Sequence, residues 1–367
     1  MTLRHENSNA NIFICHLLGR YRTAPIARRD TPINIFSVAS AAGVSAATVS
    51  RVMNHPQMVN ADTRKRVEDA IRETGYIRNR AAQAMHGRRS ATIGLIVPTV
   101  DYAIFASLVQ SFGAQADALG FTLLLAAHGY DLRREYDLLR KFLEHRVDGV
   151  ALIGLDHDED SFALLTSQRT PAIALWNHDP DGRLPSVGVR NAEAGEIAAQ
   201  HLVDLGHRRI VLMFPPVQDN DRARLRQAGA LGVLTAAGVV VPAAYRPVSH
   251  YDVGRAKAAA IAVLQLDPRP TAILCGNDVI ARGAVYAAAA LGLAIPSDVS
   301  VIGIGDFSGS EDMVPALTTV SLPANRIGTA AAQALVDMIL SGVDHPVGQA
   351  FAVDLIQRDT TGPPPQA

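Results

Sequence analysis

The chain has 367 residues, 48% hydrophobic and 19% charged. That length holds two or three domains, and the apolar content excludes a disordered chain. The formal net charge of -1 conceals an asymmetry: residues 1–90 carry 14 Lys+Arg against 6 Asp+Glu, and residues 91–367 carry 20 against 29.

A small basic head on a larger acidic body points to a polyanion partner for the head. The two cysteines, Cys15 and Cys275, lie outside any CxxC pair, which excludes a disulfide scaffold and a zinc ribbon. No apolar run reaches the roughly 18 residues of a membrane-spanning helix. A reducing, cytoplasmic location is the expectation, with no membrane contact.

Met1–Asp30 does not read as a signal peptide. Its apolar patch Ile12-Phe13-Ile14 is broken by Cys15-His16, and no small-residue cleavage site follows. The segment reads as a poorly ordered extension or as a start codon placed too far upstream, with a basic arm on the DNA backbone as a further alternative.

From Ser37 the chain reads as three short helices. Val38, Ala39, Ala42 and Val44 suit a helix ending at Gly43, a residue able to take the left-handed turn. Ser45 is a good N-cap for a second helix. That helix has Val49, Val52 and Met53 on one face and Ala46, Ala47, Ser50 and Arg51 on the other. A third helix runs from Ala61-Asp62-Thr63 through Val67, Ala70 and Ile71 and stops at Gly75. A glycine turn between the first two helices makes a helix-turn-helix. Small residues let the second helix sit deep in a major groove, where Arg51 can fork onto guanine. Thr48, Ser50 and Asn54 suit phosphate or base edges.

The run Ala42-Gly-Val-Ser-Ala-Ala-Thr-Val-Ser-Arg-Val-Met-Asn54 closely resembles the DNA-reading core of the LacI/GalR family of bacterial transcriptional regulators. Thr63-Arg-Lys-Arg-Val and Gly75-Tyr-Ile-Arg-Asn-Arg-Ala-Ala-Gln-Ala-Met85 carry the same resemblance, which continues from about Ile33 along almost the whole chain. It implies DNA contacts at Ser45, Ala46, Ala47, Thr48, Ser50, Arg51, Asn54, Tyr76 and Asn79. It also implies a hinge helix over Asn79–His86 that forms on operator DNA, with Met85 in place of the family's minor-groove leucine wedge. Arg78 departs from the usual proline before the hinge, and Gln83 from a common basic residue.

Beyond the hinge, short β-rich runs alternate with helices of about 12–16 residues, the signature of parallel sheets in an α/β fold. Strands are expected at Ile93–Pro98, Phe121–Ala126, Gly149–Leu155, Arg209–Phe214, Ala272–Gly276 and Val299–Ile304. Helices are expected at Phe105–Leu119, Leu132–His145, Ala192–Leu205, Arg222–Ala237 and Val279–Leu291. There are too many units for one sheet, so two lobes follow. The resemblance implies the same: a periplasmic-binding-protein-like body with Rossmann-like lobes and a ligand cleft between them. The division expected is an extension over 1–30, a helix-turn-helix domain over 31–78, a hinge and linker over 79–90, and an effector and dimerisation domain over 91–367.

Several motifs carry less than they suggest. Gly303-Ile-Gly305-Asp-Phe-Ser-Gly309 looks like a dinucleotide loop, but Pro315 and a strand at Leu317–Val320 follow instead of a helix. No P-loop, HExxH or GxSxG motif occurs. Asp156-His-Asp-Glu-Asp160 reads as an acidic helix start, and His207 as structural. No cofactor and no metal are expected.

Cleft residues follow from the resemblance. Arg226 matches the family arginine that binds effector hydroxyls or carboxylate, and its fork holds two oxygens. Asn277 would bond a polar ligand group while Asp278 caps the next helix. Phe105 matches an aromatic that packs on a sugar face. Trp176 stands near where the family often places an aspartate. Gly305-Asp306 replaces a common Asp-Asp and removes one sugar-binding carboxylate, leaving Asp306 as a candidate contact. The stretch Gly303–Pro323 resembles the gluconate-repressor-like branch. The expectation is a homodimer, or a tetramer built from it, that reads a near-palindromic double-stranded operator. Its effector would be a sugar or, preferentially, a sugar acid. Two other classes compete. A periplasmic sugar-binding protein leaves residues 33–86 unexplained, and an α/β enzyme lacks a nucleophile motif or cofactor loop.

Overall fold

The computed structural model describes residues 33–77, 89–101, 103–342 and 348–366. The expectations for residues 1–30, and for Asn79, Met85 and the hinge helix, lie outside the described residues.

The first unit is helical. Helix α1 (Ile35–Ala42) starts from Asn34, whose side chain accepts from the Phe36 and Ser37 amides, and ends at Gly43 with φ 62°. Only glycine adopts that conformation without Cβ strain, and it turns the chain sharply. Helix α2 (Ala46–Asn54) follows at 101° to α1. Helix α3 (Ala61–Thr74) is capped by Asn60 and stopped by Gly75. Val38, Ala39, Ala42, Val49, Val52, Val67 and Ala70 form its small core.

The second unit carries two parallel-sheet lobes. Lobe 1 has strands β1 (Thr92–Val97), β2 (Thr122–Ala127), β3 (Gly149–Ile153), β4 (Ala172–Asn177), β5 (Ser186–Val189) and β10 (Gln349–Phe351), in the order β10-β5-β4-β3-β1-β2. Lobe 2 has β6 (Ile210–Met213), β7 (Ala272–Cys275), β8 (Ser300–Gly305), β9 (Thr318–Ser321) and β11 (Asp354–Ile356), in the order β11-β9-β8-β7-β6, with only β11 antiparallel. Most central strands are buried along their whole length, as two-sided coverage by helices requires. The helices are α4 (Ala103–Ala118), α5 (Leu132–Glu144), α6 (Glu159–Gln168), α7 (Asn191–Asp204), α8 (Asp221–Ala236), α9 (Val253–Leu264), α10 (Asp278–Ala290) and α11 (Ala324–Ser341). The chain crosses between lobes after β5, after β9 and between β10 and β11.

The expected elements appear within about two residues of their ends. Helices α9 and α11 and strands β4, β5, β10 and β11 lie outside the expected set, and of α6 only the acidic start is read from the sequence. The acidic run 156–160 opens α6, with Asp158 as its N-cap. Gly303–Gly309 leaves β8 into a loop and then β9, not into a helix. His207 is fully buried and bonds Thr271 Oγ1, Ser300 Oγ and the Gly362 carbonyl, which ties the chain's last residues to lobe 2.

Candidate functional site

In the helical unit, Ser45 caps α2 by accepting from the Thr48 amide at 3.1 Å, and its hydroxyl lies 2.9 Å from that of Thr48. Burial of Val49 and Val52 fixes the helix rotation, so Ala47 and Arg51 are exposed on the opposite side. Asn54 Nδ2 donates to the Ser50 carbonyl at 2.7 Å and to Ser50 Oγ at 3.1 Å. Ala46 and Tyr76 are half-buried and pack against the helical core.

In the second unit, the carboxyl ends of β3, β4, β7, β8 and β9 converge on the interlobe cleft, where α/β folds bind ligands. Phe105, Tyr130, Trp176, Arg222, Arg226, Tyr251, Asn277, Phe307 and Leu322 line it. The cavity between the lobes there is about 20 Å³, room for about one water. A sugar-sized ligand therefore requires the lobes to part. Two wider grooves, one on lobe 1 around Phe162 and Arg183 and one along α11, are shallow and open.

The cleft joins the lobes through a buried polar chain. Asn191, where the chain enters lobe 2, donates to Asn177 Oδ1 of β4 and to the Trp176 carbonyl at 3.3 Å. Its own Oδ1 accepts from Arg226 Nε at 2.7 Å, and Arg226 Nη1 donates to the Gly276 carbonyl at 3.1 Å. Asp221 Oδ2 accepts from Asn177 and from the Leu155 amide at 2.6 Å. Arg222 Nη1 donates to Asp221 Oδ1 at 2.9 Å and to the Ile153 carbonyl at 3.2 Å. Farther out, Arg224 forks onto Asp156 at 2.7 and 2.8 Å, and that hydrogen bond raises its pKa. The first turn of α8 thus grips the ends of β3 and β4.

Arg226 differs from its neighbours. Arg222 pairs with Asp221, but no carboxylate lies within ion-pair distance of Arg226 among the described residues. Burial pushes its pKa down from 12.5 to about 10. A guanidinium held among carbonyl oxygens without a counter-charge favours an anion.

The aromatic residues form two pairs. Phe105 and Trp176 lie 5.6 Å apart and tilted, and Tyr130 of lobe 1 stacks on Tyr251 of lobe 2 at 5.9 Å. Trp176 has φ 81° and Tyr130 φ 64°. Bulky residues rarely adopt that region, and such strain gathers at ligand clamps.

The sequence-based assignments fare unevenly. Phe105, Trp176, Arg226 and Asn277 come together in the cleft. Asn277, not Asp278, caps α10 while still lining the cleft. Asn277 Oδ1 accepts from the Ile280 amide at 3.0 Å. Asp278 instead turns inward and accepts from Thr319 Oγ1, the Phe307 amide and Ser310 Oγ at 2.6, 2.8 and 3.0 Å. Burial raises its pKa, and these three donors oppose the rise. Asp306 pairs with Arg358 at 2.8 Å and lines a hollow of about 240 Å³ that adjoins the cleft, sharing Phe307 and Leu322 with it. Tyr130, Arg222, Tyr251, Phe307 and Leu322 complete the lining and were not foreseen.

Comparison with known proteins places these features. The model for bacterial regulatory proteins of the lacI family matches residues 34–79, and a periplasmic binding protein-like domain matches residues 199–361. The HTH-type transcriptional repressor PurR of Erwinia tasmaniensis is 31% identical over 309 residues, 84% of this chain and 90% of its own. A LacI-family transcriptional regulator from Silicibacter pomeroyi superposes with TM-score 0.80 at 25% identity, covering 90% of this chain and 99% of that one. The lac repressor dimer bound to operator and the anti-inducer ONPF also superposes with TM-score 0.80, at 29% identity, over 90% of this chain and 100% of that one. Among the described residues no single helix is long and apolar enough to cross a membrane.

Proposed function

The chain belongs to the LacI/GalR family of bacterial transcriptional regulators, and from that premise we propose a homodimeric repressor switched by a small anionic carbohydrate. Ser45, Ala47, Thr48, Ser50, Arg51 and Asn54 read the operator half-site, with Arg51 as the principal base contact. Residues 79–90 act as the hinge, and Met85 as its minor-groove wedge. Residues 91–367 bind effector and pair the subunits. The lac repressor structure supports this arrangement, since that relative is a dimer bound to operator and a small ligand.

The observation that carries the effector assignment is Arg226, a buried cation with no carboxylate partner among the described residues. A sugar acid offers a carboxylate to the guanidinium and hydroxyls to Asn277, while its apolar ring face meets Phe105 and Trp176. The effector holds the lobes differently from the empty protein, and only that difference in affinity can alter operator binding. A flat aromatic acid is a second reading, favoured by the stacked Tyr130–Tyr251 pair.

Thermal melting of the whole chain against sugar acids, neutral sugars, phosphorylated sugars and aromatic acids tests this. At about 100 times its dissociation constant a ligand adds roughly 2.7 kcal/mol of stability. Stabilisation by sugar acids, lost in Arg226→Met, is expected. Stabilisation by neutral sugars alone overturns the anionic assignment.

A further inference from the structure

Lobe 1 buries a group of titratable side chains that the cleft does not use. His128, just past β2, is 3% exposed, and Glu135 on α5 is fully buried. His128 Nδ1 lies 3.3 Å from the Asp131 carbonyl. A carbonyl only accepts, so that nitrogen carries a hydrogen. His128 Nε2 and Glu135 Oε2 lie 3.9 Å apart, and neither has a hydrogen-bond partner. Glu135 Oε1 lies 2.8 Å from His157 Nδ1, and His157 Nε2 lies 3.1 Å from the Gly154 carbonyl.

Proton counting leaves one open position. The Gly154 carbonyl fixes a hydrogen on His157 Nε2, and the Asp131 carbonyl fixes one on His128 Nδ1. Glu135 and His157 share a third. The remaining basic atom is His128 Nε2, facing Glu135.

This group adjoins the interlobe contact. Gly154, held by His157, is where the α8 pair lands: a Cβ there would overlap the Arg222 guanidinium and the Asp221 carboxylate. Two residues beyond His128, Tyr130 stacks on Tyr251 of the other lobe. Closing the lobes therefore brings the Arg222–Asp221 pair onto Gly154, with the Arg222 guanidinium nearest it, beside the histidines.

We infer that His128 is a proton-binding site that opposes lobe closure, so that acidification opens the cleft. The direction follows from which groups move. Glu135, the Asp131 carbonyl and His157 belong to lobe 1 and stay beside His128 in either arrangement. Arg222 and its partner Asp221 belong to lobe 2 and leave together when the lobes part; of the two, Arg222 is the charge that acts on His128 and lowers its proton affinity. Its departure raises the proton affinity of His128 in the open form, so protons favour that form by linkage. In the closed form burial, with Arg222 and His157 adding to it, holds His128 below the ordinary histidine value of 6.5, against the raising influence of Glu135 and the Asp131 carbonyl. The stability of the closed arrangement is thus fully present above the open-form pKa and is lost as pH falls. The inference concerns lobe motion and does not depend on the effector's chemistry.

The test uses the whole chain without ligand, titrated from about pH 8 to pH 5 at constant ionic strength. Small-angle scattering reads the lobe separation, and emission of Trp176, the only tryptophan, reads cleft hydration. The expected result is one transition as pH falls, with a larger radius of gyration and red-shifted emission on the acid side. His128→Asn should abolish it. Should that variant not fold, Glu135→Gln should move the midpoint to lower pH, because the carboxylate that favours the imidazolium is gone. A flat wild-type profile, closure on acidification, or an unchanged transition in either folded variant overturns the inference.

Discussion

Replacing Arg226 by methionine separates two accounts of that residue. If the arginine serves the fold, its loss should be severe. If it is held ready for an anion, its burial opposes folding and its loss should be mild. The depression of its pKa from 12.5 to about 10 corresponds to about 3 kcal/mol against the charged form. Removing the guanidinium also takes a donor from Asn191 Oδ1 and from the Gly276 carbonyl, about 1–3 kcal/mol each. Methionine fills a similar apolar volume. The opposing contributions leave a net loss of about 1 kcal/mol, or about 2–4 °C in melting temperature for a unit of this size. Without the burial penalty, the two lost bonds alone would remove about 4 kcal/mol, or about 8–16 °C. Melting of the ligand-free wild type and Arg226→Met by circular dichroism distinguishes these cases. A fall of about 8 °C or more would refute the reasoning, as would retention of stabilisation by sugar acids.

Three further outcomes are expected. Ser45→Ala removes the cap of α2 and should destabilise the helical unit by about 1 kcal/mol, seen as faster amide exchange at Thr48 with little change in the lobes. Gly229→Ala places a methyl against the Ala192 carbonyl, where α7 and α8 cross closely; overpacking of about 1–3 kcal/mol should lower the melting temperature and weaken effector binding together, because α8 carries Arg226. His207 is buried and held below 6.5, by burial first, so its contribution is fully present above the unfolded-state pKa and is lost as pH falls. Urea unfolding should weaken by up to about 1.4 kcal/mol per pH unit below that value, and His207→Asn should flatten this dependence.

Local rules and global contacts were not equally legible in the sequence. Gly43, Ser45 and Gly75 act through their own backbone and nearest turn, so the helix-turn-helix could be read directly. Arg226, Phe105 and Trp176 lie in runs whose resemblance fixes their place at strand or helix ends. Tyr130 and Tyr251 were hidden because they meet only after two lobes close, and each sits in a loop with no periodic signal. Helices α9 and α11 are rich in alanine and small residues, which blur the contrast between buried and exposed faces. The choice of Asn277 over Asp278 as cap turns on which side chain reaches the Ile280 amide, and both residues are good caps. Asp278 prefers the interior only because Thr319, Ser310 and the Phe307 amide await it there, from segments about 30–40 residues away.

The most direct test of the regulatory assignment is selection of duplexes from a random pool by the whole chain, followed by titration at several salt concentrations. One near-palindromic sequence should emerge, bound at least about 10³-fold more tightly than unrelated DNA, with affinity falling steeply as salt rises. Arg51→Ala should lose about 1–3 kcal/mol on that sequence while retaining its weak binding to unrelated DNA. Enrichment of no sequence, or equal binding of selected and unrelated duplexes, would contradict the assignment of α2 as a reading helix.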